Sequence, residues 1–318
     1  MASWKQEDSD PHLVLNLQPN STAVAKPDYV VRPKFKHLID PAYIPFPFVD
    51  LPVELALCIL SYATGCSRAT YRSLLLANRK INDLIRLEML PSVSIILTTE
   101  RQLEAFKYYL EKRPDVVPHI HALWTIGPGS VYRITSVCAS IINTCTNIRA
   151  LACHPQVLEA TMGRYQYHGN RDQTFRHTRC TDLTLIEFRT NWLRFMQFPC
   201  IAKLLHQIER LHLIGVLDAF AFHVDRFPKL DNLARASIAM GSHRHILPSV
   251  FSAMVTSPKL KQVVITTRLH GDEQQALSDT VQEMDDRFSV LHRRRRWKEA
   301  NLWHESLQDP VPRPAAKA

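Results

Sequence analysis

The amino-acid sequence predicts an α/β fold: a short N-terminal helical unit followed by an irregular solenoid with a parallel inner sheet. Three observations carry this. Short apolar segments of the form Φ-x-x-Φ, with Φ apolar, recur over most of the chain. Amphipathic stretches of helical length lie between them. Ahead of the first segment, residues 50–90 hold two helical patterns and no strand pattern.

The recurring segments start at Val93, Ile120, Ile148, Leu183, Ile208, Leu230, Leu260 and Phe288, spaced 22 to 35 residues apart. The mean interval, about 28, lies near the upper end of the range of leucine-rich repeats. Two copies share their entry, "PKLDNL" (228–233) and "PKLKQV" (258–263). Helices are expected at 100–112, 130–144, 155–163, 192–206, 218–226, 246–256 and 272–286. One such unit leaves apolar edges on both sides, and stacking buries them, so the repeats are read as leucine-rich-repeat-like. An open doubly wound sheet also alternates strand and helix and is the rival. No copy carries the asparagine of the repeat consensus, so the repeats are irregular.

The helical unit opens with "DLPVELALCILSYATGC" (50–66). Pro52 suits the first helical position, where its missing N–H costs nothing, and Glu54 meets the positive helix end. Leu51, Leu55, Cys58, Ile59 and Tyr62 form one apolar stripe. Leu57 and Leu60 lie off it, so the helix is apolar on two sides and calls for two partners or complete burial. A second stretch, "RSLLLANRKINDLIRLEML", follows with Leu74, Ala77, Ile81, Leu84 and Ile85 on one side.

The chain has 318 residues, a formal net charge of +9, seven cysteines, twenty prolines and eight glycines. The first residues lack a basic start and apolar run, so no secretory signal is expected. No segment approaches the ~18 uninterrupted apolar residues of a membrane span. The cysteines form no C-x-x-C pair, which reads as small buried residues in a reducing compartment, cytoplasmic and/or nuclear. The expected division is an extended or disordered segment at 1–47, the helical unit at 48–90, the solenoid at 91–305 and a disordered tail at 306–318.

The sequence yields no catalytic, metal or cofactor motif. "TIGPGSVYRIT" (125–135) lacks the third glycine of a dinucleotide loop and the lysine of a P-loop. His119/His121 and His243/His245 have no third ligand at motif spacing. Cys153 and His154 are neighbours, which on a strand point to opposite faces. "RRRRWK" (293–298) is a candidate nuclear import signal or nucleic-acid contact.

Residues 51–60, with Ser73-Leu74-Leu75-Leu76 and Ile81-Asn82-Asp83-Leu84-Ile85, resemble the F-box. Followed by degenerate repeats and closed by "RFSVLHRRRRWKEANLW", the chain is similar to F-box-like proteins of mushroom-forming fungi over about residues 46–305. The resemblance implies an F-box unit that binds the Skp adaptor, and through it a cullin, of a ubiquitin ligase. It implies repeats that hold a protein substrate, and tryptophans against the end of the stack. The implied adaptor contacts are Leu51, Pro52, Leu55, Ile59, Leu60, Leu74, Ile81 and Ile85. The alternatives are a helical unit that only caps the solenoid, and a basic scaffold for nucleic acid or another protein without any link to ubiquitin.

Alternation along the strands assigns their inner face. In "IRALACH", Leu151 and Cys153 read as core, leaving Ala150, Ala152 and His154 on the concave side. The same register puts Trp124, Glu187, Arg189, Arg210, His212 and Thr266 there as candidate substrate contacts. "LARASIAM" fits two phases. The stretch at 163–180, polar and rich in His, reads as an insertion loop.

Overall fold

The structure is a computed structural model. It describes residues 51–77, 79–125, 132–167, 176–187, 195–215, 230–239, 254–267 and 269–292, with residues 300, 303 and 307. The chain divides into two units, Met1–Phe48 and Val49–Ala318, and every described residue belongs to the second.

Three helices come first: α1 (Val53–Cys66), α2 (Arg68–Ala77) and α3 (Arg79–Glu88), ending in a 3-10 turn at Leu90–Ser92. Eight strands follow among the described residues: β1 (Ser94–Leu97), β2 (Ala122–Thr125), β3 (Ala150–Cys153), β4 (Asp182–Ile186), β5 (Arg210–Ile214), β6 (Arg235–Ala239), β7 (Gln262–Thr267) and β8 (Phe288–His292). Between them lie α4 (Glu100–Lys112), α5 (Tyr132–Thr144), α6 (Pro155–Tyr167), α7 (Pro199–Gln207) and α8 (Asp272–Met284).

The strands form one sheet in the order β1 to β8, and every pair is parallel. A doubly wound sheet would reverse its order at a switch point and carry helices on both faces. Here the order never reverses. Leu103, Ile141, Leu158, Leu204 and Val281, from α4 to α8, all join one core with Leu123, Leu151, Leu183, Leu211 and Val263 of the strands. The architecture is a solenoid-like α/β stack.

The Φ-x-x-Φ pattern has a double meaning. In every copy except the one at Leu230 its second apolar residue lies in a strand. In most copies its first lies just before the strand, in a turn closed by an i→i−3 bond: Ile120 N–H to Val117, Ile208 to Leu205, Leu260 to Ser257. These residues are buried, as are Ile148 and Leu233 at the same place. Cys180 fills that position before β4. The expected sixth strand therefore starts five residues late, at Arg235, because Leu230 and Leu233 plug the turn. The ambiguous "LARASIAM" resolves with Ala236 and Ile238 in the core.

In place of the missing consensus asparagine, side chains on the turns tie each coil to the one before. Asn147 donates to the Pro118 carbonyl (2.9 Å), Asn232 to His206 (2.6 Å), and Ser257 to Leu230 (2.6 Å). Gln207 Nε2 donates to both His177 (2.6 Å) and Cys180 (2.7 Å). The Ser257 bond is buried and those of Gln207 part-buried, where a carbonyl without a partner is costly, so these hold adjacent coils in register; the Asn147 and Asn232 bonds are exposed.

Several expectations are corrected. The stretch at 163–180 is not a loop from its start, because α6 continues to Tyr167; residues 168–175 lie outside the described ones. Its end is fixed, with His177 and Cys180 buried. Leu307, expected in a disordered tail, packs against the inner face of the sheet. Cys58 is exposed, whereas Cys138, Cys145, Cys153 and Cys180 are buried; burial pushes the Cys145 and Cys180 thiols up to about 12. The helices expected at 218–226, the turn at 126–131, His243/His245 and Arg293 to Arg296 lie outside the described residues.

Candidate functional site

Two surfaces emerge, one on α1 and one on the inner face of the sheet. On α1, Pro52 opens the helix and its carbonyl accepts the Ala56 N–H (3.0 Å). Ala56, Leu60 and Thr64, each one turn apart, are buried within the chain. The hydroxyls of Ser61 and Ser92 meet at 2.7 Å and tie the helix to the first repeat. Tyr71 of α2 and Leu87 of α3 pack on the solenoid core, and the Tyr71 hydroxyl donates to the Arg86 carbonyl (3.3 Å). Burial pushes the Tyr71 phenol up to about 12.

The opposite side of α1 carries exposed apolar residues. Leu55 is 53 % exposed, Ile59 47 % and Tyr62 77 %, and Cys58 is exposed with them. These four, with the half-buried Leu51, are the stripe that the three- and four-residue spacing marks out, and scattered exposed apolar residues are ordinary whereas a contiguous stripe is not. Of the predicted adaptor contacts, Pro52, Leu55 and Ile59 lie on this side and Leu51 is half-buried. Leu74 and Ile81 are also half-buried. Leu60 and Ile85 are corrected: they are 5 % and 0 % exposed and belong to the chain's own core, so they offer no surface. Leu76 of α2, 86 % exposed, was not singled out.

The inner face keeps the predicted register at Trp124, Arg210, His212 and Thr266; in β4 its residues are Asp182, Thr184 and Ile186, so Glu187, one residue past the strand, is out of phase. Trp124, Ala152, Thr184, His212, Ser237 and Val264 stand in one row across β2 to β7. Trp124 nevertheless is not open to a partner. It is 5 % exposed, beneath Trp303. Trp303 is 1 % exposed and joins Ala122, Ala150, Ala152, Ile214 and Ala239 in a second apolar cluster. The small side chains of β2 and β3 make room for the indole. Trp303 thus packs on the inner face of the sheet, over β2, rather than against the end of the stack.

The other predicted substrate contacts divide. Arg210 and His212 share the inner face of β5 and are half-buried. Strand spacing puts His212 roughly 14 Å from Trp124, three strands away. Arg210 pairs with Asp182 at 3.6 Å. Burial raises the Asp182 carboxyl to about 6, against the opposing pull of Arg210. Thr266 is half-buried near the far end of the sheet. His154 Nδ1 accepts the Gln156 N–H (3.2 Å). Glu187 is exposed at the end of β4 with φ 53, a left-handed conformation unusual for a residue with a side chain. Gly215 takes the same hand (φ 68) at the end of β5. Arg189 lies outside the described residues.

Among the described residues no group of three or more His, Cys, Asp or Glu is placed to hold a metal ion. No helix among them is long and apolar enough to cross a membrane. In comparisons with known proteins, no family model matches the chain and no curated protein does.

Proposed function

We propose that the chain is a substrate-recognition subunit of a Skp–cullin–F-box ubiquitin ligase. In this reading α1 to α3 are an F-box-like unit that docks on the Skp adaptor, and the leucine-rich-repeat-like stack holds a protein substrate. Ubiquitin transfer belongs to other subunits, and the chain itself performs no catalysis. It works in the cytoplasm, the nucleus or both.

One observation carries the reading: α1 is apolar on two sides and, among the described residues, only one side is covered. Ala56 and Leu60 face inward, while Leu55, Ile59 and Tyr62 remain exposed. Burying an aliphatic side chain of this kind is worth ~1.5–3 kcal/mol, so a stripe of three or four is a substantial driving force for a partner helix or groove. A unit that only capped the solenoid would need its inner side and a polar outer one.

The test is capture of the purified Skp adaptor by the full chain, wild type beside Leu55→Glu/Ile59→Glu. Adaptor capture that the double variant loses while it stays folded supports the reading. Wild-type chain that captures no adaptor at micromolar concentration sinks it.

A further inference from the structure

A cleft of about 450 Å³ opens where α1 meets the N-terminal ends of the first strands. Ser61 and Tyr62 of α1 form one wall, Pro91 and Ser92 the adjoining turn, and Leu307 the facing side. The floor is the edge of the sheet, with small side chains at Ser94, Ala122 and Ala150. Those small residues create the space. Around the floor stand His121, Arg149 and Arg210.

The charges in this cleft are unbalanced. Asp182 is the acid that lines it, and it is paired with Arg210 at 3.6 Å. Arg149 is exposed, and neither it nor His121 has an acidic partner among the described residues. Burial, together with the nearby positive charges of Arg149, His119 and Arg179, lowers the His121 pKa. The turn ahead of β3 and the start of β5 therefore bring two guanidinium groups, Arg149 and Arg210, to one cleft beside the His121 imidazole, with one carboxylate among them, already engaged.

Along the row of turns the positive charge is also broken up, although on the strands Arg235 stands in register beside Arg210. The residues just ahead of the strands run His121, Arg149, Thr181, Glu209, Ala234 and Lys261, joined by backbone bonds from one turn to the next. Past Arg149 the row is neutral at Thr181, acidic at Glu209 and neutral at Ala234, so its next cation, Lys261, lies four turns further on. A polynucleotide needs cations spaced along several phosphates. A single anionic group needs one cluster, and an extended peptide around it can use the apolar edges that Pro91 and Leu307 supply. Guanidinium groups suit this work because their forked N–H groups match the oxygens of a carboxylate or phosphate.

We propose that this cleft is an oxyanion site that takes one carboxylate or phosphate group of a protein partner, with Arg149 and His121 as its free donors and Arg210 at its floor. The proposal deepens the functional reading above, since it names what the repeat surface recognises. The two can fail separately, because oxyanion binding is measured on the isolated chain without adaptor.

The probes are three peptide libraries, degenerate except for a central phosphoserine, glutamate or serine, and a 20-nucleotide single strand. Binding to the full chain is followed by fluorescence anisotropy. The wild type is expected to prefer the phosphoserine or glutamate library over serine by tenfold or more. Arg149→Gln is expected to remove most of that preference with an unchanged melting temperature, and His121→Gln to reduce it. Phosphoserine ahead of glutamate would identify phosphate as the natural group, and parity would identify a carboxylate. Should His121→Gln fail to fold, the exposed Arg149 decides alone. Equal binding of all three libraries, or acidic preference untouched by Arg149→Gln, overturns the site. Tighter binding of the oligonucleotide than of any library, lost in Arg149→Gln, overturns the assignment to a protein partner.

Discussion

The indole of Trp303 stands edge-on to that of Trp124, with ring centres 5.5 Å apart and planes at 60°. One residue comes from the second repeat strand and the other from near the end of the chain, 179 positions later. The pair pins the C-terminal segment to the concave face, where Ala300 and Leu307 also pack. Edge-to-face pairs add ~0.5–1.5 kcal/mol to the burial of the rings themselves.

Trp303→Ala is therefore expected to destabilise the protein by about 3–5 kcal/mol, as for other buried aromatic truncations. It should also expose Trp124 and shift tryptophan emission to longer wavelength. Urea melts with fluorescence detection check both. A loss below about 1 kcal/mol with unchanged emission would mean that Trp303 does not cover the inner face.

Asp182 predicts a pH effect whose sign follows from its direction of shift. Burial raises its folded pKa to about 6, above the ordinary carboxylate range. The folded state then holds the proton more tightly, so this site's contribution is present in acid and lost as pH rises through about 6. His177 works in the opposite sense, because burial lowers it to about 4 and folding is weakened as pH falls from about 6.5. The difference between wild type and Asp182→Asn isolates the first effect. Arg210, half-exposed, can rehydrate when its partner loses charge. We expect Asp182→Asn to be more stable than wild type by up to about 3 kcal/mol at pH 8, the gap shrinking to about 1 kcal/mol at pH 4.5 and closing only below the unfolded value of 3.8. An equal difference at both pH values would contradict the burial of an ionising carboxyl.

Much of this fold was legible because parallel repeats restate one pattern. Each strand carries apolar residues on the core side, such as Leu151 and Cys153, and the period survives variation in any one copy. The concave register of Ala150, Ala152, Arg210 and His212 followed from alternation alone. What alternation could not reveal was a segment distant in sequence arriving on that face. Trp303 has no local signal that points to Trp124; only the row of alanines at 122, 150 and 152 hints that something bulky must fill the space. Nor did spacing mark Leu60 and Ile85 as inward, since a helix apolar on two sides gives no sign of which side its own chain takes. The cleft at Arg149 was missed for a related reason: its residues lie in turns ahead of the strands, where no periodicity operates.

The turn ladder predicts a second stability effect. Gln207 Nε2 serves the carbonyls of His177 and Cys180 at once. Gln207→Leu keeps the volume but removes both bonds, so a loss of about 1–3 kcal/mol is expected. Hydrogen exchange should quicken at the Cys180 amide, whose turn Gln207 holds. A variant as stable as wild type would show that the backbone alone keeps the coils in register.

The two sides of α1 give the sharpest contrast. Leu55 and Ile59 are about half exposed, whereas Leu60, one residue further on, is 5 % exposed. Successive helical residues differ by about 100° in direction, so a single step crosses from the outer side to the inner. Leu55→Glu/Ile59→Glu should leave the melting temperature within a few degrees of wild type, because its new charges stay in water. Leu60→Glu should unfold the helical unit or the whole chain, because an unpaired carboxylate in an apolar core costs several kcal/mol. Circular dichroism melts of both variants decide this without any partner present. If the double variant unfolds as readily as Leu60→Glu, the outer stripe is covered by the chain itself, and the surface proposed for the adaptor does not exist.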